Sequence, residues 1–439
     1  MAEPGGSPVS LLCLAATSGV PLFYRGAPTR HQLPFSVIGS LNGVHMFGSN
    51  LDVALTAART EGTRVLWRAF HNSITLIVMS SEEGASDFTL SRLLDNVFSA
   101  MVLVLGLEEL ANIRNVERLK KDLRACYKLI DSFLMPGERI GDLTHCVECV
   151  LVPCSTILQE CLTAFTRAAE SRFGCLLVGG RVAVATEPWW QLAPQEVNLL
   201  AWLVGSLLPS TTRDYPVYLP QGSPMVPHRL LTFQLLPGLD ICLLCGPSPS
   251  LEAVKTELVP RFWKPLLEPL RACACPPSVP LHPGVLAFLL INREQKRSLS
   301  AVLPRGVQAE GPALPLGSCA SVLRAFYALV VSHYFPCEGS PVPPLELPLG
   351  GGSHSAQHCY VVSAGYKAYA AQAPPHQLFL LLAPEVPTFA LRPLATHILQ
   401  YLVLQLGNKR QTPRDQIPTC QESTDADYWG PESPLRQGE

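Results

Sequence analysis

ITLIVMSS at 74–81, ICLLCGPS at 241–248 and LFLLLAPE at 378–385 are three versions of one event. In each, a short apolar run breaks at Ser, Gly, Pro or Glu, and a stretch of helical periodicity follows. Runs of this length rich in apolar residues are strands. Each is expected to be the last strand of a unit, running into a helix that covers its sheet.

Working outward from 74–81, Ser18-Gly19 sits between apolar runs at 10–17 and 20–25, which predicts a hairpin around a tight turn. Phe35, Ile38, Leu41 and His45 have helical spacing within 33–48, although Gly39 and Gly43 weaken the helix. Strands are expected at 52–60, 65–71 and 74–80, punctuated by Glu61-Gly62 and Asn72-Ser73. A helix over 90–107 has Thr89 as its N-cap. Another over 113–134 carries Val116, Leu119, Leu123, Cys126, Ile130 and Phe133 in one stripe and ends at Pro136-Gly137.

The same order recurs around 241–248 after a leading helix at 157–172. A hairpin turns at Gly179-Gly180 between 175–178 and 182–186. A helix at 194–208, strands at 215–219, 229–236 and 241–245, and a closing helix at 250–273 follow. Around 378–385 the order is a hairpin (285–291 and 298–302), a helix (319–335), strands near 359–363 and 378–382, and a helix over 389–406. The intervening 336–358, rich in Pro, Gly and Ser, is expected to be a mobile loop. Three units at 10–136, 157–274 and 283–406, with a disordered tail at 407–439, make an α+β chain of repeated modules.

Composition narrows the function. Of 439 residues, 48% are apolar and only 15% charged, enough to build two or three cores and to leave apolar surface for partners. A net charge of −2 offers no basic face to phosphates, so no nucleic acid is expected as a partner. The 15 cysteines are irregularly scattered, unlike a disulfide framework. The start lacks a basic n-region, the end lacks a prenylation box, and the apolar runs at 97–107 and 199–208 are too short to span a bilayer. A cytosolic chain that is not transmembrane is the expectation.

Motifs of covalent chemistry are missing: no Walker loop, dinucleotide fingerprint, nucleophile elbow or zinc-protease helix occurs. No cofactor is expected. His145-Cys146 with Cys149 and Cys154, taken as a loop, is open to zinc or to buried thiols. Cys242 and Cys245, three apart in a strand, point to opposite faces and are expected in the core. Gly350-Gly351-Gly352-Ser353-His354 does not open a helix and is expected to be linker. Trp189-Trp190, at a strand-to-helix corner, is expected to pack in the core rather than to stand out as an anchor for a partner. Arg114, Arg118 and Lys121 form a basic helix face, either a solvated surface with Glu117 pairing to Lys121 or a contact for an acidic partner or an anionic lipid headgroup.

The stretches LPFSVIGSLNGVHMFG (33–48), GLEELANIRNVERLKKDLRA (106–125), RDYPVYLPQGSP (213–224) and HRLLTFQLLPGLDICLLCGPSP (228–249) resemble the planar cell polarity effectors of the three-longin-domain family. That family includes paired exchange factors for Rab GTPases. The resemblance implies three longin-like domains, each a five-stranded antiparallel sheet flanked by helices. It further implies pairing with Inturned, a place beside a WD-repeat subunit in the CPLANE assembly, and engagement of a Rab-like small GTPase. By the same resemblance the work is done in the cytoplasm and at the cytoskeleton of the ciliary basal body. It would serve basal-body docking, intraflagellar transport, planar polarity and Hedgehog signalling. The chain would act as half of a nucleotide exchange factor or as a non-catalytic adaptor. In related pairs the first longin domains dock together, which places the partner surface in 33–48 and the adjoining 52–59, at Phe35, Ile38, His45, Met46 and Phe47.

Overall fold

The computed structural model describes residues 9–26, 33–81, 85–135, 137–207, 212–274, 279–303, 316–335 and 356–407. The first unit runs β1 (Ser10–Ala15), β2 (Pro21–Gly26), α1 (Phe35–Asn50), β3 (Ala57–Thr60), β4 (Thr63–Phe70), β5 (Ile74–Ser81). Its strands form an antiparallel sheet in the order β2-β1-β5-β4-β3. β5 is central because it is apolar on both faces, and every residue from Ile74 to Ser80 is buried. The strand expected over 52–60 starts only at Ala57. Leu51 closes α1 and Asp52 takes a positive φ of 56°, so the chain turns there before it extends.

α2 (Asp87–Leu105) follows, capped by Ser86, whose hydroxyl accepts the Thr89 amide at 3.3 Å; Thr89 is therefore not the cap. By length and composition α2 would cross a membrane, but nine of its residues are buried in the protein core. It ends at Gly106, whose φ is +82° and where a Cβ would lie 2.9 Å from the Tyr218 ring, so only glycine fits. The stripe expected over 113–134 is present in broken form: α3 (Leu107–Ala111), α4 (Val116–Asp122), a 3-10 turn and α5 (Tyr127–Leu134). Leu119, Leu123, Cys126, Ile130 and Phe133 point into one core.

A linker then carries α6 (Gly141–Thr144) and β6 (Val147–Cys149). The second unit has α7 (Ser155–Ala168), β7 (Phe173–Val178), β8 (Arg181–Ala185), α8 (Glu187–Trp190), α9 (Pro194–Ser206), β9 (Thr212–Leu219), β10 (Ser223–Leu236) and β11 (Leu239–Cys245). The closing helix is α10 (Leu251–Ala253), α11 (Val259–Trp263) and α12 (Leu267–Ala274), joined by π and 3-10 turns. The third unit is β12 (Val285–Asn292), β13 (Arg297–Val302), α13 (Leu316–His333), β14 (His358–Val362), β15 (Lys367–Ala373), β16 (His376–Leu382) and α14 (Leu391–Gly407).

Both later units repeat the strand order of the first, and β6 fuses them. It pairs in parallel with β13 on one side and meets β8 at Cys149–Val182 on the other, giving one eleven-stranded sheet. The segment taken as a loop at 145–154, open to zinc or to buried thiols, is thus partly an interdomain strand. The repeated order and the five-stranded sheet called for one more strand in the third unit, but no stretch was assigned to it; it is β15. The loop foreseen at 336–358 and the tail at 407–439 lie outside the described residues, apart from their first or last few positions, as does the Gly350–His354 run.

The two faces of the first sheet differ. Leu11, Cys13, Leu66, Ile74, Leu76 and Val78 point to α2, α4 and α5, in a core continuous with α9 and the second sheet. Leu12, Leu14, Val65, Trp67, Ile77 and Met79 point the other way, where, among the described residues, Tyr24, Leu33, Ile38, Leu41, Leu55 and Ala58 pack on them.

Candidate partner-docking surface

α1 begins at Phe35 because Pro34, with φ −56° and ψ 144°, is extended and offers its carbonyl to the amides of Val37 and Ile38. One face rests on the outer sheet face: Ile38, Leu41, Asn42, His45 and Gly48 are half-buried. Trp67 pins this face by donating its indole N–H to the Leu41 carbonyl at 3.2 Å. His45 lies on it with Nδ1 shielded and without a partner among the described residues, and burial pushes its pKa down, favouring the neutral ring.

The other face is apolar yet open. No residue of α1 is fully buried, and Phe35 is 80% exposed, Phe47 66% and Met46 43%. Val44, Leu51 and Val53 are also exposed. Gly39 and Gly43 lie on this side, and a Cβ at either would meet nothing within 4 Å. The corresponding helices of the sister units behave differently. α9 buries Glu196 through Leu203, and α13 buries Leu323, Phe326, Tyr327 and Val330. Among the described residues β3, beside α1, pairs only with β4, and its outer edge has no strand partner. Of the five residues expected here, Phe35, Met46 and Phe47 therefore face outward, while Ile38 and His45 face the sheet.

The basic positions stand elsewhere, since α4 lies over the opposite face of the first sheet. Arg114 pairs with Glu108 at 3.7 Å and Arg118 with Asp122 at 3.5 Å. Glu117 pairs with Lys120 at 2.8 Å, not with Lys121. Lys121 is exposed and has no ion pair among the described residues. Exposed pairs of this kind contribute about 0–1 kcal/mol each.

The cysteines do not converge. Cys146 belongs to the core of the third unit, Cys149 packs against that of the first two, and Cys154 is exposed at φ 58°. Among the described residues no group of three His, Cys, Asp or Glu side chains is placed to hold a metal. Cys242 and Cys245 do take opposite faces, in different core clusters. Trp189 is buried, whereas Trp190 is half-buried with the Arg297 guanidinium 3.8 Å above its ring.

The linker was missed by sequence reasoning. Glu148, 4% exposed, accepts the amides of Ile140 (2.7 Å) and Gly141 (3.0 Å) and the Trp202 indole N–H (3.4 Å). Asn198 bridges the Glu148 amide and the Cys146 carbonyl. Asn96 of α2 donates to the Asp142 carbonyl, and Arg324 of α13 grips the Asp142 carboxylate with both Nη atoms at 2.6 Å. One short segment thus holds three units.

Profiles of the first, second and third longin domains of FUZ, MON1 and HPS1 match residues 9–133, 169–264 and 284–404. "Protein fuzzy homolog" of Xenopus tropicalis is 60% identical over 402 residues, which cover 89% of this chain and 96% of that protein. The protein of the same name from Homo sapiens is 55% identical over 422 residues, covering 92% and 99%. The chain belongs to the fuzzy family, whose members carry the three longin domains shared by FUZ, MON1 and HPS1.

Proposed function

We propose that the chain pairs with Inturned through its first longin domain, and that the pair binds a Rab-like small GTPase as part of a nucleotide exchange factor. It would do so with a WD-repeat CPLANE subunit, in the cytoplasm and at the cytoskeleton of the basal body, in support of ciliogenesis, intraflagellar transport and Hedgehog signalling. The observation that carries the reading is α1: among the described residues it is the helix of its kind left without a cover and presents Phe35, Met46 and Phe47 beside a sheet edge with no strand partner. Exchange by differential binding asks only for complementary surface that favours the nucleotide-free GTPase. The test is nucleotide release from candidate GTPases with the Inturned complex. Tight binding of the GTP form without accelerated release would replace exchange by an adaptor role.

The glycines provide a separation of folding from docking. Gly39→Ala and Gly43→Ala should stabilise the free chain by up to about 1 kcal/mol each, because Gly is the poorer helix former and the space is empty. The same methyls should weaken Inturned binding about tenfold or more, by about 1.4 kcal/mol, if the partner's backbone approaches there. Phe47→Asp should leave the melting temperature near wild type and remove a hot spot of about 2 kcal/mol or more. Wild-type affinity in all three variants would move the interface off α1.

For α4 the reading is a contact with anionic lipid headgroups, with Lys121 as its exposed cation without an ion pair among the described residues. Arg118→Glu with Lys121→Glu should abolish sedimentation with phosphatidylserine vesicles at low salt, without loss of fold. Equal sedimentation leaves α4 a solvated surface.

A further inference from the structure

A cleft of about 390 Å³ opens where the first unit, the linker and the second unit meet. Ser132 and Met135 come from α5 and its end, Glu138 and Arg139 from the linker, Gly179 and Arg181 from the β7–β8 turn, and Gly205 and Ser206 from α9. Its chemistry is cationic. The Arg139 guanidinium lies half-buried, 5.7 Å from the Trp202 ring centroid, and has no hydrogen-bond acceptor among the described residues. Arg181, which lines the same cleft, donates Nη1 to the Ser300 carbonyl at 3.2 Å, and among the described residues its other nitrogens have no partner.

The surroundings do not explain the two cations as a closed structural pair. The carboxylates whose charge acts on Arg139 are Glu148 and Asp142. Glu148 is occupied by two backbone amides and an indole, and Asp142 by Arg324. Burial lowers the Arg139 pKa; Glu148 raises it, Arg181 lowers it further, and Asp142 raises it. The guanidinium is also held against bare backbone. A Cβ on Gly205 would stand 3.0 Å from Arg139 Nη2, and one on Gly180 3.1 Å. Glu138 lies at the rim, exposed, without an ion pair to either arginine among the described residues.

We propose that this cleft binds a phosphomonoester, with Arg139 and Arg181 as its two forks. Planar guanidinium groups match tetrahedral oxyanions bidentately, and two of them lining one cleft suit a dianion better than a single carboxylate. The space exceeds that of an orthophosphate and admits a small substituent such as a polyol ring. The serines add no donors, because Ser132 and Ser206 already give their protons to the Leu129 and Leu203 carbonyls. The anion is therefore held by charge-assisted bonds from the arginines alone, and affinity should fall steeply with salt.

The test is calorimetric titration of the full chain with inositol monophosphate, beside flotation with phosphatidylcholine vesicles with and without a phosphatidylinositol monophosphate. Binding of the soluble ester, of the doped vesicles or of both supports the site, and the pattern tells a free ligand from a lipid headgroup. Arg181→Gln should weaken binding at least tenfold, and Glu138→Gln should tighten it severalfold, since one removes and the other adds net positive charge. Arg139→Lys keeps the charge without the fork and should also weaken it, while Lys121→Glu on the distant α4 should not. No binding by either probe, or binding indifferent to Arg181 and Glu138 in folded variants, overturns the proposal.

Discussion

Replacing Arg324 by methionine is expected to cost about 3–5 kcal/mol and to loosen the third unit from the other two. The side chains of Arg324 and Asp142 are only 12% and 10% exposed, and they meet through two bonds of 2.6 Å. Burial pulls the Arg324 pKa down, but the charge and hydrogen bonds of Asp142 outweigh it and leave it raised. Removing one partner of such a pair strands the other as an uncompensated buried charge, which is the source of the expected cost. Arg324 also bonds the Arg139 carbonyl, so the linker loses two anchors at once. The Val147 amide, which donates to the Lys296 carbonyl at 2.8 Å across the units, is the place to look. Its hydrogen exchange should quicken by about a hundredfold or more, at about 1.4 kcal/mol per decade. Arg324→Met with Asp142→Leu should recover much of the loss, because apolar replacement of a whole buried pair is often neutral. If the single variant melts and exchanges like wild type, the pair does not hold the units together.

What the sequence conveyed follows from how local each signal was. β5, β11 and β16 announce themselves because burial on two faces needs unbroken apolar runs. The α1 helix was legible from Ile38, Leu41 and His45, yet spacing says nothing about whether its apolar back is covered. That depends on what other units contribute. β15 reads KAYAAQA and has weak strand propensity. It is a strand because β14 and β16 satisfy its backbone on both sides. β6, three residues long, exists only through partners in two other units. The clamp is the extreme case: Asp142 and Arg324 are 182 residues apart, and no pattern in a single sequence links them. The arginine cleft was hidden for the same reason, whereas Phe35, Met46 and Phe47 were named through the resemblance and only their exposure came from the structure.

Acidification should act on the same joint through His145. This residue closes α6 in the left-handed conformation, φ 53° and ψ 28°, with its ring against the Arg92 guanidinium of α2. Its pKa is pushed down to about 4, first by burial and then by Arg92, Arg293 and Lys296, with Asp142 opposing them. A histidine depressed in the folded state binds its proton more readily when unfolded. The stability it permits is therefore complete above its ordinary value near 6.5 and is lost as pH falls toward 4. At about 1.4 kcal/mol per unit the loss is on the order of 3 kcal/mol. Asp240 works in the opposite sense: burial raises it to about 6 against Arg213, so its contribution grows as pH falls through that value. The whole-chain curve mixes the two, and a difference curve separates them. His145→Asn keeps a residue tolerant of positive φ and removes the titration. Between pH 7 and pH 4.5 wild type should lose about 2–3 kcal/mol relative to this variant, read from urea midpoints at each pH. Parallel curves for the two proteins would mean that His145 is protonated or released without disturbing the junction.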